Sequence, residues 1–354
     1  MNNLDKKYLD LVQDILDNGN KKETRSGEAL SVFSREIRHN MSEGFPLLTT
    51  KKMHFKGIVT ELLWFLRGQT NIKPLIDNGC NIWNGDCYKN YSIKNFGKTI
   101  HTIEQFINRI KTDDDFAKKW GELGPIYGAQ WRSWRVNSIN EETGEFYLGN
   151  QYIDQIQVLI DTLKTDPDSR RMIVNAWNVG KLKDMILPPC HFGFQVYTRE
   201  LSESERIELS GGKIQSKYPV LITQQIKICD IRNIPKRAIS LKWFQRSVDV
   251  PLGLPFNIAS YALLLEILGQ LVNMIPEELV GSLTDCHIYT NQIDGVKEQL
   301  IRDSYDLPKL SMSPIVLAKL QHHDLNTMLE ECTSEQFRIE DYESHPTIKI
   351  PLSN

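Results

Sequence analysis

A chain of 354 residues carrying a formal charge of −3 is one large domain or two ordinary ones, with no general attraction for nucleic acid. Its 40% apolar and 25% charged content suits a globular protein with a real core. The start, Met1-Asn2-Asn3-Leu4-Asp5, lacks a signal-peptide run and no stretch approaches a membrane span; the 6 cysteines are scattered without a Cys-x-x-Cys pair, so a reduced cytoplasmic protein without disulfides or metal is expected.

Residues Tyr8 to Asn18 carry Leu9, Leu11, Val12, Ile15 and Leu16 at helical spacing, and Asn18-Gly19 ends that helix. Arg25-Ser26-Gly27 is a polar loop before the strand-like Leu30 to Phe33; its arginine is either solvated or a charged fork for phosphate. Lys56 to Leu66 reads as a helix in which Glu61 stands among Leu62, Leu63, Trp64 and Phe65. Such a carboxylate either turns outward or is poised with a raised pKa. After the turn Asn78-Gly79 comes Trp83, a core residue or a stacking wall for a planar ligand.

Residues 87–122 turn polar and charged, predicting a surface insertion that is partly helical around Ile103 to Ile110. The main chain resumes at Leu123-Gly124-Pro125-Ile126-Tyr127-Gly128, and Tyr152 to Lys164 forms an amphipathic pattern. Arg170 and Arg171 then stand at the mouth of a strand, Met172 to Trp177, as an anion site or as ordinary surface cations.

Pro188 and Pro189 fix φ and remove two backbone donors, so the chain reaches Cys190 in a turn, and Phe192, Phe194, Val196 and Tyr197 follow as a buried strand. A cysteine held in that way is a strong nucleophile if its pKa is lowered, although most isolated cysteines are inert. Its neighbour His191 is not an automatic base, because successive strand residues point to opposite faces, and this weakens a Cys-His hydrolase reading. Residues 200–237 form a second polar interruption, expected as a hairpin or flap. The strand Ile239 to Phe244 leads to Gln245-Arg246-Ser247-Val248-Asp249-Val250. A rigid loop, Pro251 to Pro255, delivers Phe256-Asn257 into a long apolar helix ending at Val272. Asp285 to Asn291 alternates like a strand with a polar face of His287, Tyr289 and Asn291.

Eight stretches, in order along the chain, together resemble the thymidylate synthase family. They begin with Arg25-Ser26-Gly27, Glu61-Leu62-Leu63-Trp64-Phe65-Leu66, Gly124-Pro125-Ile126-Tyr127-Gly128 and Ser169-Arg170-Arg171. They continue with Pro189-Cys190-His191, Gln245-Arg246-Ser247, Pro255-Phe256-Asn257-Ile258-Ala259-Ser260-Tyr261 and His287-Ile288-Tyr289. The resemblance covers nearly the whole chain outside the two insertions, the first of which looks like the small extra domain of the longer bacterial enzymes. It implies a three-layer α/β fold with a large mixed sheet and flanking helices, and an obligate homodimer. The implied reaction is reductive methylation of dUMP by 5,10-methylenetetrahydrofolate, giving dTMP and dihydrofolate without a metal.

The resemblance also implies roles. Cys190 would add to uracil C6, aided by Arg246, and make C5 nucleophilic. Arg25, Arg246 and Ser247 would hold the phosphate, with Arg170 and Arg171 reaching in from the partner subunit. Asn257 would read the pyrimidine edge, His287 and Tyr289 the ribose, with His191, Gln245 and Asp249 also at the nucleotide. Glu61 would relay protons toward O4 and Tyr127 would help remove the C5 proton. Trp83, Leu187, Asp249, Leu252, Gly253 and Phe256 would line the folate site.

Two departures stand out. The family's loop commonly reads Arg-Thr-Gly-Thr-Gly-Thr, whereas Arg25-Ser26-Gly27-Glu28-Ala29 is one residue shorter and adds a negative charge. The C-terminus, Ile350-Pro351-Leu352-Ser353-Asn354, has a polar tip where the family's is small and apolar. The nearest rival is a dUMP hydroxymethylase on the same fold, in which water quenches the methylene intermediate. A dCMP version would call for aspartate at position 257. A silent RNA-binding module is the rival from another class, and the charge of −3 argues against it.

Overall fold

The computed structural model describes residues 1–95, 101–139, 146–212, 219–322 and 324–353. Helix α1 (Asn3–Asn18) begins earlier than its apolar spacing predicts, because the Asn2 side chain accepts the Asp5 N–H at 2.8 Å and caps it. Strands β1 (Asn20–Thr24) and β2 (Gly27–Asn40) form a hairpin with Arg25-Ser26 at its tip and Thr24 opposite Gly27. Helix α2 (Phe55–Leu66) has no side-chain cap; it is held by burial, since every residue from Gly57 to Leu66 is buried.

Helices α3 (Lys73–Asp77), α4 (Asn84–Lys94), α5 (Ile103–Thr112) and α6 (Asp114–Trp120) follow. The segment 87–122 is therefore more than a surface insertion. Cys87, Tyr91, Phe106, Ile110 and Phe116 are buried and join the main core, while the charged residues that dominate its composition face outward.

Helix α7 (Tyr127–Arg132) leads to the paired strands β3 (Trp134–Ile139) and β4 (Phe146–Ile153). Helix α8 (Gln155–Thr165) starts three residues later than its apolar pattern predicts: Asp154 caps it by accepting the Gln157 N–H at 3.0 Å, leaving Tyr152 and Ile153 to β4. Strand β5 (Ile173–Asn175) is only the middle of the expected Met172–Trp177. Strand β6 (His191–Glu200) buries Phe194 and Val196 but exposes Tyr197, which alternation turns to the other face. The segment 200–237, expected as a hairpin or flap, carries two helices among its described residues, α9 (Glu203–Leu209) and α10 (Pro219–Ile231). The capping box at Ser202 and Glu205 is the sequence signal that marks α9.

Strand β7 (Arg237–Asp249) and strand β8 (Ile275–Tyr289) are parallel neighbours, so a crossover must join them, and α11 (Gly253–Val272) provides it. This helix starts inside the expected Pro251–Pro255 loop; Pro255 falls in the first turn, where a missing N–H costs nothing. It is long and apolar enough to cross a membrane, but most of it is buried in the core. Each fully buried leucine or isoleucine there contributes about 1.5–3 kcal/mol. The chain finishes with α12 (Ile293–Leu300), β9 (Lys309–Met312), α13 (Pro314–Gln321), α14 (Leu325–Glu331) and β10 (Phe337–Glu340).

The six-stranded mixed sheet runs β1-β2-β8-β7-β6-β5, antiparallel except at β7–β8. Helices α1, α2, α8 and α11 share the buried core with one of its faces. On β5 and β6 the opposite face stays open, with Ile173 at 52% and Tyr197 at 65% exposure. The ends of β7 and β8 place Ser247 beside Asp285 and Asp249 beside His287. Polar chemistry therefore gathers where the two parallel strands end.

Candidate active site

Cys190 ends the Pro188-Pro189 turn and is pinned on both sides. Its N–H donates to the Tyr127 hydroxyl at 2.8 Å, and its carbonyl accepts the Arg246 N–H at 2.9 Å. The Arg246 side chain turns back on the same turn, donating from Nε to the Pro189 carbonyl at 2.9 Å and from its terminal nitrogen to Pro188 at 3.0 Å. Its guanidinium lies over the Trp177 ring, 5.1 Å from the centroid.

Tyr127 reaches Cys190 from a strained backbone, with φ of 26°. Two glycines make that possible. Gly124 has φ of 79° and lies so close to the Asp184 carbonyl that a Cβ would sit 2.1 Å from its oxygen; at Gly128 a Cβ would meet the Phe65 oxygen at 2.2 Å.

A cavity of about 540 Å³ opens in front of Cys190. Arg25, Arg246, Ser247, Asp249, His287 and Tyr289 line it, together with Leu187 from the expected folate residues. Seven of the residues singled out from sequence, with the thiol as an eighth, thus converge from distant stretches.

The others lie elsewhere. Glu61, Tyr127, His191, Gln245, Asn257, Trp83, Leu252, Gly253 and Phe256 are not on its wall. Trp83 is core, as its default reading had it: it is buried, and its indole donates to Glu61 Oε1 at 2.8 Å. Arg170 and Arg171 do not reach this cavity within one chain; both are exposed at the β5 edge.

Sequence reasoning missed other wall residues. Asp285 is the most legible of them, two positions before His287 and so on the same strand face. Its carboxylate takes the Ser31 hydroxyl at 2.6 Å and Lys22 at 2.9 Å, while His287 Nδ1 lies 3.4 Å from the same group. Asp86 and the C-terminal Leu352 and Ser353 also line the cavity, with no pattern in the sequence to mark them.

Electrostatics distinguishes the cysteines. All are free thiols, and of the six only Cys190 is partly exposed, the other five being buried. Burial pushes Cys80, Cys87 and Cys286 up to about 12. At Cys190, too, burial dominates and raises the pKa; Arg246 and Arg25 pull it down, Asp86 and Asp249 push it up. Arg246, the cation expected to favour the thiolate, acts in that direction, but burial outweighs it. Burial also lifts Glu61 to about 7, so it can hold or release a proton near neutrality. His191 is pushed down to about 3 by burial, with Nδ1 2.9 Å from the Tyr261 hydroxyl. It is neutral and turned to Tyr261, which removes the Cys-His hydrolase reading.

A chain of amides stands behind the wall. The Trp243 indole N–H can only donate, and it meets Gln245 Oε1 at 3.1 Å. That oxygen also takes Asn257 Nδ2 at 3.1 Å, while Gln245 Nε2 donates to the Ser247 carbonyl at 3.1 Å. The indole therefore fixes the orientation of both amides. Asn257 keeps one N–H and its Oδ1, a donor beside an acceptor. Asp249 is held by the Leu252 N–H at 3.0 Å and Gln292 Nε2 at 3.2 Å, and burial raises its pKa.

Comparison with known proteins fits this arrangement. A family profile described as thymidylate synthase matches residues 6–354. A thymidylate synthase from Malacoplasma penetrans is 39% identical over 345 residues, covering 97% of this chain and 98% of the relative. One from Mycoplasma mobile is 38% identical over 347 residues, covering 98% and 99%. One from Phytoplasma mali is 39% identical over 344 residues, covering 97% of each. With its six-stranded mixed sheet, its single unburied cysteine at the cavity and a match over nearly its whole length, this chain belongs to the thymidylate synthase family.

Proposed function

We propose that this protein converts dUMP to dTMP by reductive methylation, taking both carbon and hydride from 5,10-methylenetetrahydrofolate. The observation that carries this reading is the convergence of Cys190 with Arg25, Arg246, Ser247, His287 and Tyr289 on one cavity. Two guanidiniums and a hydroxyl suit a phosphate dianion. His287 and Tyr289 suit a ribose hydroxyl. Phosphate and base contacts bring C6 to the thiol, and the sulfur adds there while the electron pair moves to C5. The fit to a folate is supported by Leu187 and Leu352, which offer apolar surface, and by Asp249, which can accept N–H groups of a pterin.

Incubation with dUMP and 5,10-methylenetetrahydrofolate should yield dTMP and dihydrofolate in equal amounts. A 5-hydroxymethyl product with no dihydrofolate would instead favour the hydroxymethylase. The tail argues against that outcome, because Ser353 donates to Asn291 at 2.8 Å and the Pro351 carbonyl takes Gln292 at 3.2 Å, drawing the polar tip onto the cavity.

The donor and acceptor left on Asn257 match uracil O4 and N3–H. Asn257→Asp removes the donor and puts a carboxylate against Gln245 Oε1. Its kcat/KM for dUMP should fall about 10- to 100-fold, and its preference for dUMP over dCMP should largely disappear. Retention of the wild-type preference, measured by competing the two nucleotides, would assign base reading elsewhere.

A homodimer completes the reading. Arg171 is exposed in the turn two residues before Ile173, at the edge where Ile173 and Tyr197 are also exposed, so a second copy packed there would cover apolar surface and receive these cations. Arg171→Ala and Cys190→Ser homodimers should each be nearly inactive. Refolded together, random pairing makes about half the dimers hybrid with one intact site each, so about a quarter of wild-type activity should return. No recovery, with hybrids confirmed by mass, would mean that each subunit uses its own arginines.

A further inference from the structure

Asp86, in the first turn of α4, puts a carboxylate on the wall of the Cys190 cavity. The other acids at or near that site are engaged. Asp249 takes Leu252 and Gln292, Asp285 takes Ser31 and Lys22, and Glu61 takes Trp83. Among the described residues, no hydrogen-bond donor reaches Asp86 and no cation lies within ion-pair distance of it. Arg25 and Lys89 act on it only through space, and burial raises its pKa above the ordinary carboxylate value. It is close enough to Cys190 to oppose ionisation of the thiol.

A site for a thiolate and a phosphate dianion gains nothing from a further free negative charge. The carboxylate fits only if the bound complex brings positive charge or N–H groups to it. The nucleotide offers neither, because its phosphate is anionic and its base edge belongs to Asn257. The one-carbon donor offers both. For its carbon to be transferred, the bond from that carbon to N10 breaks, and the electron pair stays on N10, which takes a proton from water. Positive charge is left across N5 and the one-carbon unit until C5 of the pyrimidine supplies electrons to it.

We propose that Asp86 is the counter-charge of the folate half of the site, stabilising the positive charge that develops when the one-carbon unit opens. The inference rests on the dUMP methylation reading. At a partly buried position such a fixed charge acts on a developing cation more strongly than it would in bulk water. The plainer role, an acid in the first turn of a helix, would affect stability slightly and kinetics hardly at all.

The test separates the two halves of the reaction. Without folate, addition of Cys190 to C6 of dUMP, deuteron capture at C5 and elimination exchange the C5 hydrogen with heavy water, which NMR follows. Asp86→Asn should bind dUMP and exchange C5 at least as fast as wild type, since loss of the carboxylate also eases ionisation of Cys190, yet lose about 10- to 100-fold in kcat for dTMP formation. Asp86→Glu should recover part of that loss. Unchanged kcat in Asp86→Asn, or equal losses in exchange and turnover, would overturn the proposal; equal losses would make Asp86 a positioning residue for the thiol or Arg25. A wild type that exchanges C5 but never forms dTMP would remove the folate reading and this inference together.

Discussion

The Pro188-Pro189-Cys190 turn depends on one convergence of hydrogen bonds, with Tyr127 holding the Cys190 N–H and Arg246 holding the carbonyls of all three residues. Prolines cannot donate, so their carbonyls are what the turn has to offer, and a guanidinium fork satisfies two of them at once. That geometry also sets the cavity. Arg246 follows Gln245, whose amide is locked by Trp243, and precedes Ser247 on the wall. One strand therefore carries the clamp on the Cys190 turn, the relay to Asn257 and part of the cavity wall.

Burial and charge oppose each other at the thiol. Burial wins there and the Cys190 pKa is raised, despite two arginines. The same burial keeps Glu61 near 7 and His191 neutral. The Cys190 thiol thus has a raised pKa, while the buried Glu61 carboxyl can exchange a proton near neutrality.

Much of the fold was legible because periodicity reports burial directly. The apolar residues of α2 and α11 and the alternation of β8 are patterns of the buried core itself. Boundaries moved where a single side chain decided them, as at Asn2 and Asp154, whose capping bonds outweigh apolar spacing. Composition misled at 87–122, where charged residues surround Tyr91, Phe106 and Phe116, aromatic groups that pack into the core. In the site, the residues that share motifs with the family were readable, and those that no motif carries were not. Asp86 lies on the first turn of a polar helix, and nothing local to it announces that Arg25 and Cys190 stand opposite. Leu352 and Ser353 reach the cavity only through the path of the whole tail.

The central claim is that Cys190 is the atom that bonds to the pyrimidine. The 5-fluoro analogue of dUMP tests it, because fluorine cannot leave C5 as a cation and the sequence of steps stalls after carbon transfer. Mass spectrometry of the protein incubated with this analogue and 5,10-methylenetetrahydrofolate should find nucleotide plus folate on the peptide containing Cys190. An adduct on another cysteine, or turnover of dUMP with no adduct formed by the analogue, would contradict the account.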